Sequence, residues 1–207
     1  MAKKDADNVV EMNPKPIPYD KVVLPNGQIR VTVEGIVPLL THNPSSMTRT
    51  QSTAKRGTRI PEVEDEAQAG TYQLEDGTYA AKTEYFIAAI YKAAGAWKTK
   101  NRGTMKSRLA HISAVEDLVP LCHLNGEPIK SYVIDERSVV IGKARIIRAR
   151  PRFDEWSATF TIKYDQQLVD EPKMIVDILA DAGDRFGAGD YRPRFGRFKV
   201  REYLILT

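Results

Sequence analysis

The sequence predicts a mixed α+β domain on the β-α-β-β-α-β plan of ferredoxin-like and RRM-like proteins, with a long insertion and a glycine-rich loop before the last strand. Three observations carry that prediction. Alternation of apolar and polar residues marks strands near 29–34, 139–149, 156–164 and 197–206. Helical spacing of apolar residues marks two helices, in "KTEYFIAAIYKAAGAWKTK" and "DEPKMIVDILADAG". Four glycines, Gly183, Gly187, Gly189 and Gly196, crowd the short stretch between the second helix and the last strand.

In chain order, residues 1–25 are polar and proline-bearing and read as a flexible arm, leaving 26–207 as a single domain. Ile29, Val31 and Val33 alternate against Arg30, Thr32 and Glu34 in the first strand. From about 43 to 78 the composition turns to Ser, Thr, Pro and Gln and then to the acidic cluster Glu62, Glu64, Asp65, Glu66, which reads as an insertion with a solvated surface. Phe86, Ile90, Ala94 and Trp97 then repeat at near-helical spacing. "RLAHISAVEDLVPLCHL" reads as one or two strands broken near Pro120, with His111 in a strand. A hairpin-like pair follows, with strands near 139–149 and 156–164 and a turn at 151–155. Trp156, Ala158, Phe160, Ile162 and Tyr164 share one face of its second strand and read as core. Asp170 reads as the N-cap of the last helix and Gly183 as its stop.

Charge and composition narrow the function classes. A formal charge of +4 permits an anionic partner without demanding one. The distribution is more telling than the total: segments 98–108, 143–152 and 185–201 hold sixteen of the 31 Lys and Arg and one of the 27 acids. The single cysteine, Cys122, excludes an internal disulfide and a cysteine-cluster metal site, and points to a reducing, cytoplasmic setting. No apolar run is long enough for a membrane span, so no membrane role is expected.

The glycine stretch follows a helix and precedes a strand, which fails the context of a dinucleotide fingerprint, and no Gly-Lys-Ser/Thr follows it. It reads instead as a helix-to-strand loop in which Gly187, Gly189 and Gly196 allow close backbone approach and Arg192, Arg194 and Arg197 suit phosphate. Adding Lys98, Lys100, Arg102, Lys106, Arg145, Arg148 and Arg150 as phosphate contacts and Tyr191 as a base-stacking residue gives the expected nucleic-acid-binding set. No paired carboxylates, Ser-His-Asp set or metal-ligand spacing stands out, so no catalytic residue, metal or cofactor is expected.

This layout resembles the repeat-associated mysterious protein (RAMP) superfamily of CRISPR-type RNA-binding proteins, whose ferredoxin-like domains carry a glycine-rich loop between the last helix and the last strand. Phe186-Gly187-Ala188-Gly189 matches the first half of that loop motif, and Asp190 to Arg194 supplies its basic middle. Phe195-Gly196-Arg197 departs, with one glycine where the family usually has two. "RARPRFDEW" and "GAGDYRPRFGRF" are also similar to a group of phage and prophage proteins, a resemblance that supplies no activity. The resemblance implies binding of single-stranded RNA or DNA without cleavage, with copies assembling along the strand into an oligomer or filament. Two alternatives stand beside it. One is a metal-independent endoribonuclease, which would draw on His42 or His111. The other is a phage structural or host-inhibitory protein with a protein partner, for which the 62–66 acids would matter.

Overall fold

The computed structural model describes residues 26–44, 62–100, 102–141 and 144–206, so the expected arm at 1–25 and the middle of the insertion lie outside the described residues. The central sheet has four antiparallel strands. β1 (Asn26–Gly35) pairs with β10 (Phe198–Leu206) on one side and with β9 (Ser157–Asp165) on the other, and the two-residue β5 (Ser113–Ala114) extends the sheet beyond β9. The order β10-β1-β9-β5 is the ferredoxin-like 4-1-3-2, with β5, from the "RLAHISAVEDLVPLCHL" stretch, in second place and the expected 139–149 strand outside this sheet. Helices α2 (Glu84–Ala93) and α4 (Lys173–Arg185) are the two helices of that plan, and both bury an apolar stripe in one core.

Alternation decides which sheet face meets the helices. Ile29, Val31 and Val33 of β1 and Trp156, Ala158, Phe160, Ile162 and Tyr164 at and along β9 are all buried in the core. Phe86 of α2 stacks on Phe160 (centroids 4.6 Å apart) and meets Phe198 edge-on. The other sheet face is polar: Thr32 hydrogen-bonds Thr159 across the strands, and Lys199 and Arg201 both pair with Glu34. The open face therefore offers no aromatic platform among these strands. β10 is an edge strand; its end exposes Tyr203, Leu204 (60% exposed) and Ile205.

Two smaller sheets flank the core. β7 (Val133–Ile141) and β8 (Ala144–Phe153) form a long hairpin, whose base pairs with β2 (Leu39–Leu40). β3 (Tyr72–Gln73), β4 (Tyr79–Lys82) and β6 (Leu118–Pro120) make the third sheet. α1 (Val63–Ala69), inside the expected insertion, lies along the outer edge of β8, where the Glu66 carboxylate accepts a hydrogen bond from the Ala149 amide (3.0 Å). The short α3 (Met105–Arg108) precedes β5.

Four expectations need correction. The hairpin reverses between Ile141 and Ala144, which pair, whereas 151–156 crosses to the central sheet and leaves β9 paired with β1. Pro151 sits inside β8 because its carbonyl, and with it the missing N–H, faces the Thr41 side rather than β7. Gly183 is not a stop: α4 runs on to Arg185, and a Cβ at Gly183 would lie 2.2 Å from the Phe198 carbonyl oxygen, so glycine lets β10 pass. The cap of α4 is Pro172 rather than Asp170, with no side-chain hydrogen bond, and His111 sits exposed in the turn after α3. Among the described residues no helix is long and apolar enough to cross a membrane, and no group of three or more His, Cys, Asp or Glu could hold a metal ion.

Candidate nucleic-acid interface

The loop from α4 to β10 is pinned at one end of the domain. Gly187, Gly189 and Gly196 all have φ near +70°, a region side chains disfavour. A Cβ at Gly196 would lie 1.8 Å from the Ala188 carbonyl oxygen, and one at Gly189 would lie 2.3 Å from that of Leu40. The close approach these glycines permit is thus taken up by the chain itself. Hydrogen bonds from Asp190 N–H to the Leu40 carbonyl and from Gly196 N–H to the Pro38 carbonyl, both 2.8 Å, fasten the loop to the β2 segment. Ala188 and Phe195 are buried beneath it, while Arg192 and Arg194 stand exposed.

The hairpin supplies the facing wall. Register pairs Val133 with Arg152, Asp135 with Arg150, and Arg137 with Arg148, so four arginines and one carboxylate share a face. Asp135 is only 6% exposed; its carboxylate accepts hydrogen bonds from Nε and Nη2 of Arg137 and lies 3.6 Å from Arg152. The hydrogen bond from Arg137 holds its carboxyl below the usual aspartate range, and burial opposes this. The Arg137 guanidinium lies over the Phe195 ring (4.3 Å), and Tyr191 carries both Arg137 (5.8 Å) and Arg150 (5.3 Å). Arg150 bonds Asp190 through Nε (2.5 Å), yet its buried Nη1 has no hydrogen-bond partner among the described residues. Arg148 pairs with Glu66.

His42 closes the cluster below. Its carbonyl accepts hydrogen bonds from the Tyr72 and Tyr85 hydroxyls, both 3.2 Å. Burial, followed by the positive charge of Arg150, lowers the imidazole pKa below its ordinary value. Burial also pushes the Tyr85 hydroxyl far up, reinforced by its neighbour Tyr72.

Of the residues expected from sequence, the structure brings Arg148, Arg150, Gly187, Gly189, Tyr191, Arg192, Arg194 and Gly196 together at this end. Arg197 lies at the base of the loop, 3.9 Å from Asp184. Arg145 pairs through its backbone with Val140 towards the hairpin tip, and its side chain is outside the described residues. Lys98, Lys100, Arg102 and Lys106 are not part of the cluster. Their segment meets Leu168 and Asp170 through Arg108, near the Asn26–Asp165 end of the sheet, whereas the loop sits beyond Gly35. The acid-poor stretches also acquire partners from afar, namely Glu34, Glu66, Asp135 and Asp184. Sequence reasoning missed Asp135, Arg137, Arg152 and the shelf role of Phe195. The only signal for them was the alternation of "IDERS" against "RARPR", which needs the correct register to be read.

No protein-family model and no curated protein matches this chain. Among solved structures it is similar to a chain in the cryo-EM structure of the Type III-B Cmr-beta bound to cognate target RNA, at 11% identity and a TM-score of 0.53. The match covers 88% of this chain and 61% of the other, so this chain spans less than two thirds of that neighbour. At such identity the likeness is one of fold, and with the 4-1-3-2 sheet and the glycine loop before its last strand this chain has a RAMP-like, ferredoxin-like fold.

Proposed function

We propose that this protein binds single-stranded nucleic acid, RNA foremost, without cutting it, at the end where the glycine loop meets the hairpin. The observation that carries the reading is the pair Arg192 and Arg194. Both are exposed, neither has an ion pair among the described residues, and both lie on a rim backed by four further arginines on one hairpin face. Phosphate groups would meet the two free guanidiniums first and then compete with Asp190 for Arg150, whose Nη1 already lacks a partner. Tyr191 is half-buried with guanidiniums against it, which stiffens it as a stacking surface. The structural neighbour was solved bound to RNA, which favours RNA over DNA. Assembly of copies along one strand belongs to the same proposal.

Fluorescence anisotropy with labelled single-stranded RNA and DNA of about 30 nucleotides tests it. Binding should weaken with salt by about 0.7 log unit per log unit for each phosphate neutralised. Arg192→Glu with Arg194→Glu should lower affinity tenfold or more while changing stability by no more than about 0.5 kcal/mol, because both side chains are exposed. RNA should run intact on a gel, and sedimentation at saturating RNA should show several copies per strand. No binding at low salt would sink the proposal in favour of a protein partner. A second reading, metal-independent cleavage, is favoured by His42, which feels the charge of Arg150 and Arg148 in the arginine cluster. It requires shortened RNA that stays intact with His42→Ala.

A further inference from the structure

The central sheet ends in two unlike edges. At one of them β10 leaves Tyr203, Leu204 and Ile205 in the open. Register sets where each points. Tyr203 and Ile205 lie opposite the core residues Val31 and Ile29 and so face the helix side, whereas Leu204 lies opposite Arg30 on the polar side. Earlier in the strand Lys199 and Arg201 gather on the polar side around Glu34. Glu202, the acid of this strand, accepts a hydrogen bond from the Thr32 hydroxyl (3.3 Å).

At the other edge a groove of about 370 Å³ runs between β5 and the first turns of α2. Ile87, Ile112 and Ala114 line it with apolar surface, and Val115 stands 55% exposed beside them. The same groove carries three acids, Glu84, Glu116 and Asp117, with Lys82 standing 3.8 Å from Asp117. The Val115 N–H donates to the Thr161 carbonyl (2.9 Å), so alternation turns the Ala114 N–H and carbonyl away from β9. Just beyond, Thr83 donates to the Glu116 and Asp117 carbonyls, which limits the open backbone to residues 113–115.

We infer that β10 of one copy adds to β5 of the next, extending the central sheet head to tail from copy to copy. Strand direction allows it. β10 and β9 run one way and β1 and β5 the other, so a copy displaced along the sheet presents its β10 antiparallel to β5 with its helices on the same side. The pleat matches as well. Tyr203 and Ile205, on the helix side, enter the groove against Ile87 and Ile112, while Leu204 meets Val115, which lies opposite Thr161 on the polar side. Charge is complementary in the same orientation. Residues before Tyr203 run alongside residues after Val115, which brings Lys199 and Arg201 to Glu116 and Asp117. A contact with so short an edge is weak and depends on concentration. It needs no nucleic acid, so it stands or falls apart from the reading above.

Sedimentation of the full chain without nucleic acid, from about 10 µM to about 1 mM, tests the inference. The average mass should climb past that of a dimer, because each added copy exposes a fresh edge. Leu204→Lys blocks only the β10 edge and Val115→Lys only the β5 edge, both at exposed positions. Each variant alone should stay monomeric. Mixed in equal amounts they should form a dimer and nothing larger, because each supplies the edge that the other lacks. A wild-type chain that stays monomeric at about 1 mM would overturn the inference. So would a chain that stops at the dimer, is abolished by Leu204→Lys and ignores Val115→Lys, since β10 would then be pairing with itself. A mixture of the two variants that stays monomeric while the wild type assembles would place the contact elsewhere. Should either lysine variant melt early, Leu204→Ser and Val115→Ser give the same comparison with no added charge.

Discussion

Gly196 shows how much a single position can decide. Its φ of +70° and the 1.8 Å gap that a Cβ would leave to the Ala188 carbonyl oxygen mean that no other residue fits without moving backbone. Gly196→Ala should therefore cost about 2–4 kcal/mol, read from the denaturant midpoint, and should detach the loop from the β2 segment. Exposed Arg192 and Arg194, a few residues earlier, are the opposite case: their side chains pack against nothing buried, so the proposed ligand is where they would count. The glycines were legible in sequence as positions needing unusual dihedrals. What they pack against was not, since the contacts at Leu40 and Pro38 lie some 150 residues away along the chain.

At the scale of elements, the β7–β8 hairpin and α1 explain why some of the site escaped a sequence reading. Alternation located the buried face of β9 correctly, because large residues recur at every second position from Trp156 to Tyr164. It failed at the hairpin because Val139, Val140 and Ile141 lie on one side of the reversal and Ile146 and Ile147 on the other, so apolar spacing runs through the turn unbroken. Without that register, Arg137 could not be placed beside Arg148, nor Asp135 beside Arg150. The acidic cluster at 62–66 read as a solvated surface, yet Glu66 closes the edge of β8. Glu66→Ala removes the acceptor for the Ala149 amide and the partner of Arg148, and should cost about 1–3 kcal/mol. Hydrogen exchange at the Ala149 amide should speed up more than at amides in β9.

Across the whole molecule, stability should fall in two stages on acidification. His42 titrates below its ordinary value when folded, so the unfolded chain binds more protons once pH drops below about 6.5, and stability is lost from there down. Asp135 and Asp181 have depressed folded pKa values: Asp135 through its hydrogen bond from Arg137, and Asp181, despite a burial effect that raises it, through Arg185 and Trp97. Their contribution is present above the unfolded value of about 3.9 and disappears as pH falls through the folded one. Melting temperatures from pH 8 to pH 3 should show both stages, and His42→Gln should erase the first alone. The ferredoxin-like plan was legible at this scale because it depends on element order. The placement of Arg108 beside Leu168 and Asp170, away from the hairpin arginines, was not, because it depends on which strand end each loop leaves.

The edge strand β10 has a consequence for handling the protein. Its first half carries Lys199 and Arg201, which share Glu34 between them, and its second half carries Tyr203, Leu204 and Ile205 in the open. Like charge keeps a second copy from the first half, whereas unmade backbone hydrogen bonds and apolar side chains invite it to the second. Added salt weakens the repulsion and leaves the attraction intact. High salt is thus the condition that brings the protein closest to its solubility limit.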